Sequence, residues 1–148
     1  MNNFIIDGKQ GFIQIEFNEV FGFPDETSFD GGYDVQGKLS LKSENYYVKD
    51  AEVWFTTGQI YTLFKQLQKA YKLLKGAITF SNRDETFKFE MKFNPSGQIE
   101  IEGFFQEFLD KENILQFEFL SDQSYLMTTL EELKNIVENY GDLKGIKK

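Results

Sequence analysis

The chain contains no histidine and no cysteine among its 148 residues. Without histidine there is no Ser-His-Asp triad, no imidazole acid–base group and no histidine metal cluster. Without cysteine there is no disulfide framework and no thiolate site. An enzyme built from this chain would have to work with carboxylates, lysine, tyrosine or serine alone. Proline is scarce, at two residues. No apolar run approaches the roughly 20 residues that cross a bilayer. The opening Met1-Asn2-Asn3-Phe4-Ile5-Ile6-Asp7 has no basic segment and no long apolar stretch, so it does not read as a secretory leader. The cytoplasm is the expected compartment. The length fits one domain, 1–148, at a size where about 68–70% of the unfolded surface can be buried.

Phenylalanine is abundant, at 17 residues, and the net charge is −8. An aromatic-rich, proline-poor chain suits sheets with a thick core. The acidity repels nucleic acid phosphates and anionic membranes, so neither is expected as a partner, and it favours a basic protein. Acidity also serves solubility alone, and the net charge does not choose between the two.

Apolar and polar residues alternate along most of the chain. Ile13, Ile15 and Phe17 share one face; Tyr33, Val35, Gly37, Leu39 and Leu41 share another. Ser43-Glu44-Asn45 turns the chain, and Ala51, Val53 and Phe55 point inward on the return, which makes a hairpin. Thr56 or Thr57 caps a helix whose stripe is Ile60, Leu63, Phe64, Leu67, Ala70, Tyr71 and Leu74, with Gly76 closing it. Ala77 to Phe80, Phe87 to Phe93, Ile99 to Phe105 and Leu115 to Phe119 read as further strands, with Asn94-Pro95-Ser96-Gly97 as a strong turn. Thr128-Thr129 opens a second helix with capping-box spacing to Glu131 and Glu132, closed by Gly141. Strand, Thr-Thr and helix thus occur twice, which fits capping after a strand better than a duplication. The expected fold is α+β: a mostly antiparallel sheet of about seven or eight strands with helices near 57–75 and 129–141. The runner-up is a two-sheet sandwich with the helices at its edges. Residues 142–148 read as a frayed polar tail.

From Gln10 to Gly37 there is no lysine or arginine. Phe21 to Tyr33 has no regular period and reads as a loop, and such loops are often functional. The candidate partner-binding residues are Glu19, Phe21, Phe23, Asp25, Glu26, Phe29, Asp30 and Tyr33. Rings supply anchoring area and carboxylates supply steering at an interface with a basic protein. The same residues also fit a loop whose rings tuck beneath it and whose acids are solvated. Asp25, Asp30 and Asp34 offer oxygen ligands, but their spacing does not match a calcium loop, so no metal or cofactor is expected. Glu100, Glu102 and Glu118 share an outer sheet face near Glu90, with Lys88 and Lys92 among them. That mixture reads as a solvated charge ladder and not as a catalytic carboxylate pair. Trp54 falls out of register with Val53 and Phe55, and the sequence leaves its exposure open. The expectation is a protein-binding module and not an enzyme. The alternative is a small-ligand carrier with a pocket between the first helix and the sheet.

Five stretches add a resemblance. They are Phe21-Gly22-Phe23-Pro24-Asp25-Glu26-Thr27, Gly31-Gly32-Tyr33-Asp34, Phe55-Thr56-Thr57-Gly58-Gln59-Ile60-Tyr61, Ile101-Glu102-Gly103-Phe104-Phe105-Gln106-Glu107 and Phe119-Leu120-Ser121-Asp122-Gln123-Ser124-Tyr125. In this order they resemble the WapI family of bacterial immunity proteins, over roughly residues 10–142. The resemblance implies a cytoplasmic partner that neutralises the toxic C-terminal domain of a cell-wall-associated or polymorphic toxin, often a nuclease. It carries over no catalytic residue and no toxin-contact motif.

Overall fold

A computed structural model describes residues 2–146. Its elements in chain order are β1 (Asn3–Asp7), β2 (Gly11–Phe21), β3 (Asp34–Ser43), β4 (Tyr46–Thr56), α1 (Thr57–Leu73), β5 (Gly76–Ser81), β6 (Phe87–Phe93), β7 (Gln98–Phe105), β8 (Leu115–Asp122) and α2 (Gln123–Tyr140). The eight strands and two helices match the expected α+β class. The strands divide into two four-stranded sheets, β1-β2-β3-β4 and β5-β6-β7-β8, each a run of antiparallel neighbours. The α+β expectation holds, and the division into two sheets is the feature it shares with the runner-up. The reason lies in α1, which interrupts the run of hairpins after β4, so that β5 starts a new sheet.

Alternation decides which residues are buried. Ile13, Ile15, Val35, Leu39, Val53 and Phe55 from the first sheet meet Phe87, Phe89, Met91, Ile99 and Ile101 from the second in one apolar cluster. Phe80 stacks on Phe89 at 5.3 Å, and Phe17 meets Phe55 edge-on at the same separation, the offset and edge-on geometries that aromatic quadrupoles favour. Ile60, Leu63, Phe64 and Leu67 of α1, with Leu126, Leu133 and Ile136 of α2, complete the cluster.

The helices also close sheet edges. An open edge strand is a template for aggregation. Gln66 of α1 accepts from the backbone N–H of Thr79 and donates to its carbonyl, both at 3.2 Å, and so covers the edge of β5. On α2, Thr129 donates to the carbonyl of Ile5 at 2.6 Å and Glu132 accepts from its N–H at 3.1 Å, which covers β1. Partial burial holds the Glu132 carboxyl above its ordinary value, opposed by that same hydrogen bond. The edge of β8 meets the β1–β2 turn, where Lys9 N–H donates to Leu120 O at 2.7 Å.

Several boundaries differ from the expectation. β1 was not anticipated, because only Phe4 and Ile6 turn inward along it. α2 begins six residues before Thr129, at Gln123. Its N-cap is Asp122, whose carboxylate accepts from Ser124 N–H at 2.8 Å. Hydrogen bonds from Ser124 hold the Asp122 carboxyl below its ordinary value. α1 does start at the expected point, with Thr56 and Gln59 forming a reciprocal capping box. Its left-handed terminal residue is Leu74 at φ 52°, however, and not Gly76. Residues 142–146, part of the expected polar tail, make hydrogen bonds to the loop before β3. Gly32 N–H donates to Leu143 O at 2.8 Å, and Ile146 N–H donates to the Tyr33 hydroxyl at 3.1 Å. Residues 147 and 148 of that expected tail lie outside the described residues.

Candidate partner-binding surface

The segment singled out in the sequence begins inside β2. The β2–β3 pairing shifts between Phe17 and Glu19, so Asn18 is a one-residue bulge. A bulge reverses the alternation of every residue beyond it. Glu19, opposite Gln36, and Phe21, opposite Asp34, therefore face outward, whereas Phe17 two residues earlier faces the core. Phe21 stacks on Trp54 of β4 at 5.6 Å and 21°, and both rings remain partly exposed. That answers the question of Trp54: it lies on the outer face, and its indole N–H donates to Glu52 at 3.3 Å.

Beyond Phe21 the chain leaves the sheet. Glu26 N–H donates to Gly22 O at 2.7 Å and closes a turn, with Gly22 at φ 77°. An added Cβ at Gly22 would collide with Glu26 O, so glycine is required there. Phe23 packs edge-on against Tyr33 at 5.2 Å and Tyr140 at 5.0 Å, leaving one edge of its ring in water. Asp25 and Glu26 are exposed, and Phe29 is fully exposed. Asp30 pairs with Arg83 at 3.0 Å, and Asp34 reaches the same guanidinium at 3.4 Å.

Tyr33 behaves differently from the other seven candidates. It is buried, its N–H donates to Thr57 Oγ1 at 2.8 Å, its hydroxyl donates to Pro24 O at 2.8 Å, and the same oxygen accepts from Ile146. It is a strut beneath the loop and not part of its surface. Beside it, burial holds the Tyr140 hydroxyl above its ordinary value, opposed by a hydrogen bond from Asn2. Arg83 escaped the sequence reading. The available signal was composition, since it is the only arginine in the chain.

The second acidic region is the outer face of β5–β8. Glu90, Glu102 and Glu118 stand directly opposite one another across β6, β7 and β8. Lys92 pairs with Glu90 at 3.3 Å and stands opposite Glu100, but Lys88 stands opposite Phe104. The expected ladder of alternating charge is thus half formed. An open hollow of about 620 Å³ runs over this face, lined by Lys88, Glu90, Glu102, Phe104, Gln116 and Glu118 among others. Glu102 and Glu118 are exposed, so neither has the buried setting that tunes a catalytic carboxyl. Between α1 and β5 there is a recess of about 150 Å³, well below the 300–1,000 Å³ typical of ligand pockets. No group of side chains suited to a metal ion occurs among the described residues.

A family model described as immunity protein WapI-like matches residues 4–141. The chain belongs to that family. The five motifs read in the sequence therefore identified it correctly. No curated protein and no solved structure matches. Membership supports a toxin-neutralising role and, with it, a protein partner. No helix among the described residues is long and apolar enough to cross a membrane. For a WapI-like immunity protein, the chemically relevant question is which surface meets the toxin. Loop 22–33 presents the fully exposed Phe29 and the half-exposed Phe23 above the buried Tyr33, whereas the β5–β8 face presents carboxylates mixed with lysines.

Proposed function

We propose that this chain is a non-catalytic cytoplasmic inhibitor that covers a basic toxin domain and blocks its access to substrate, in the manner expected if that domain is a nuclease. Residues 19–34 supply part of the contact. The observation that carries this reading is the pairing of Phe29, Phe23 and the Phe21–Trp54 stack, all exposed, with Glu19, Asp25, Glu26 and Asp30 around them. Exposed rings in a held conformation lose little entropy on docking, and same-sign charges at the rim accelerate encounter with a basic partner. Neither nucleic acid nor membrane complements this surface. A carrier role gains little support from the small recess between α1 and β5.

The test is to search the genomic neighbourhood for a long repeat-bearing secreted protein encoded just upstream and to co-express its C-terminal domain with this chain. Protection of the cells by the wild-type chain, and a stable complex on gel filtration, are the expected results. Cell death with no complex sinks the proposal. Hydrolase and transferase substrate panels should stay at background for the purified chain.

A further inference from the structure

Turn 82–86, between β5 and β6, touches loop 22–33 on one side and the β7–β8 loop on the other. On the first side, Arg83 pairs with Asp30 and Asp34, and Asn82 Nδ2 donates to Trp54 O at 3.0 Å. On the second, Gln106 N–H donates to Thr86 O at 2.8 Å, just past the Phe87–Phe105 pair. Segments 19–34, 82–86 and 106–114 thus occupy one end of the molecule.

That end has a composition of its own. The three segments hold ten carboxylates against two cations, Arg83 and Lys111, and the rest of the chain holds fourteen of each. The whole net charge of −8 is therefore concentrated here. The β7–β8 loop also exposes Phe108, Leu109 and Ile114, each more than half accessible. The loop has internal ties: Gln106 Nε2 donates to Lys111 O at 2.7 Å, Lys111 N–H donates to Phe108 O at 3.1 Å, and the Lys111 ammonium lies 5.2 Å from the Phe108 ring centre.

Apolar side chains held in water inside a rim that is mostly of one sign form a docking surface. We infer that the toxin-binding surface is this entire end, with Phe108, Leu109 and Ile114 as a second anchor beside Phe21, Phe23 and Phe29, and that its occupant is a basic protein domain. The inference rests on the proposed immunity function and extends it to residues 82–86 and 106–114. Charge complementarity selects the occupant. Because the rest of the chain is neutral, its field points a basic partner at this end and not at the β5–β8 face, where Lys88 and Lys92 stand among the glutamates.

The probe is the toxin domain found by the co-expression test above, with binding followed by surface kinetics and each variant first checked by thermal melting. The triple variant Phe108→Ser, Leu109→Ser, Ile114→Ser should raise Kd about 30-fold or more, chiefly through faster dissociation. Glu107→Lys, Asp110→Lys, Glu112→Lys should slow association about tenfold at low salt, and the difference should vanish at high salt. Glu118→Lys with Leu120→Ser, on the β5–β8 face, should stay within about twofold of wild type. Hydrogen exchange of the wild-type complex should slow in all three segments. Unchanged binding by both 106–114 variants, while loop 19–34 variants weaken, would overturn the inference and leave the immunity function standing. Loss confined to the β5–β8 variant would overturn it too. A wild-type chain that neither binds nor protects removes both.

Discussion

Loop 22–33 and the outer face of β5–β8 are both acidic and both exposed, but their charges have different neighbours. On the sheet face, the two-residue period fixes what stands beside each carboxylate: Glu102 between Glu90 and Glu118, Glu100 opposite Lys92. In the loop no ladder sets the neighbours. The acids there stand among rings, and the segment keeps its shape through contacts beneath it, above all Tyr33. A carboxylate placed by a ladder is explained by the fold. A ring held in water by a built loop is not, and that difference favours the loop as the place where function resides.

The comparison breaks first at Tyr33. If the loop is built on this strut, Tyr33→Ala should lose about 3–5 kcal/mol in urea unfolding, the usual range for a buried ring. Tyr33→Phe should lose about 1–3 kcal/mol, because Pro24 O and Ile146 N–H both lose their partner. A loss below about 1 kcal/mol for Tyr33→Ala would mean that the loop is not anchored and that its exposed rings carry no information.

Most of the fold was legible because it rests on local period. β6 shows its inward Phe87, Phe89 and Met91 directly, and α1 shows both its stripe and its cap. β1 and the first turns of α2 were not legible. β1 offers only two inward residues, and the Thr128-Thr129 pair imitated a cap while Thr129 in fact reaches across to Ile5. The candidate surface was half legible. Lack of period marked the loop, but the position of its rings depends on non-local contacts. The Tyr33 hydroxyl meets Ile146, 113 residues away, and Arg83 meets Asp34, 49 residues away. The bulge at Asn18, which turns Phe21 outward, also leaves no mark in the alternation until β3 is placed beside it.

Phe29 sharpens the comparison from the functional side. It is fully exposed and has no ring contact among the described residues, so Phe29→Ala should remove little that the fold uses. Its melting temperature should match wild type. If the ring enters a pocket on the toxin, the complex should weaken by about 2 kcal/mol, roughly 30-fold in Kd. Calorimetry on the complex and a thermal melt of the free chain separate the two quantities. A destabilised free chain with unchanged affinity would reverse the assignment and make Phe29 a structural residue.

The smallest effect belongs to the sheet face. Glu102 faces a glutamate on each side, and like charges directly opposite one another on a sheet repel. Glu102→Gln removes both contacts at once. It should stabilise the free chain by about 0.2–1 kcal/mol at low salt, the usual scale for a cross-strand pair. Added salt should shrink the gain, since the charges are exposed and screening is effective within about 10 Å at 0.1 M. Toxin binding should barely change. If Glu102→Gln instead leaves stability untouched and weakens the complex more than Phe29→Ala does, the row of glutamates is kept for the partner. The two acidic regions would then exchange roles: the sheet face would bind, and the loop would be a solvated rim.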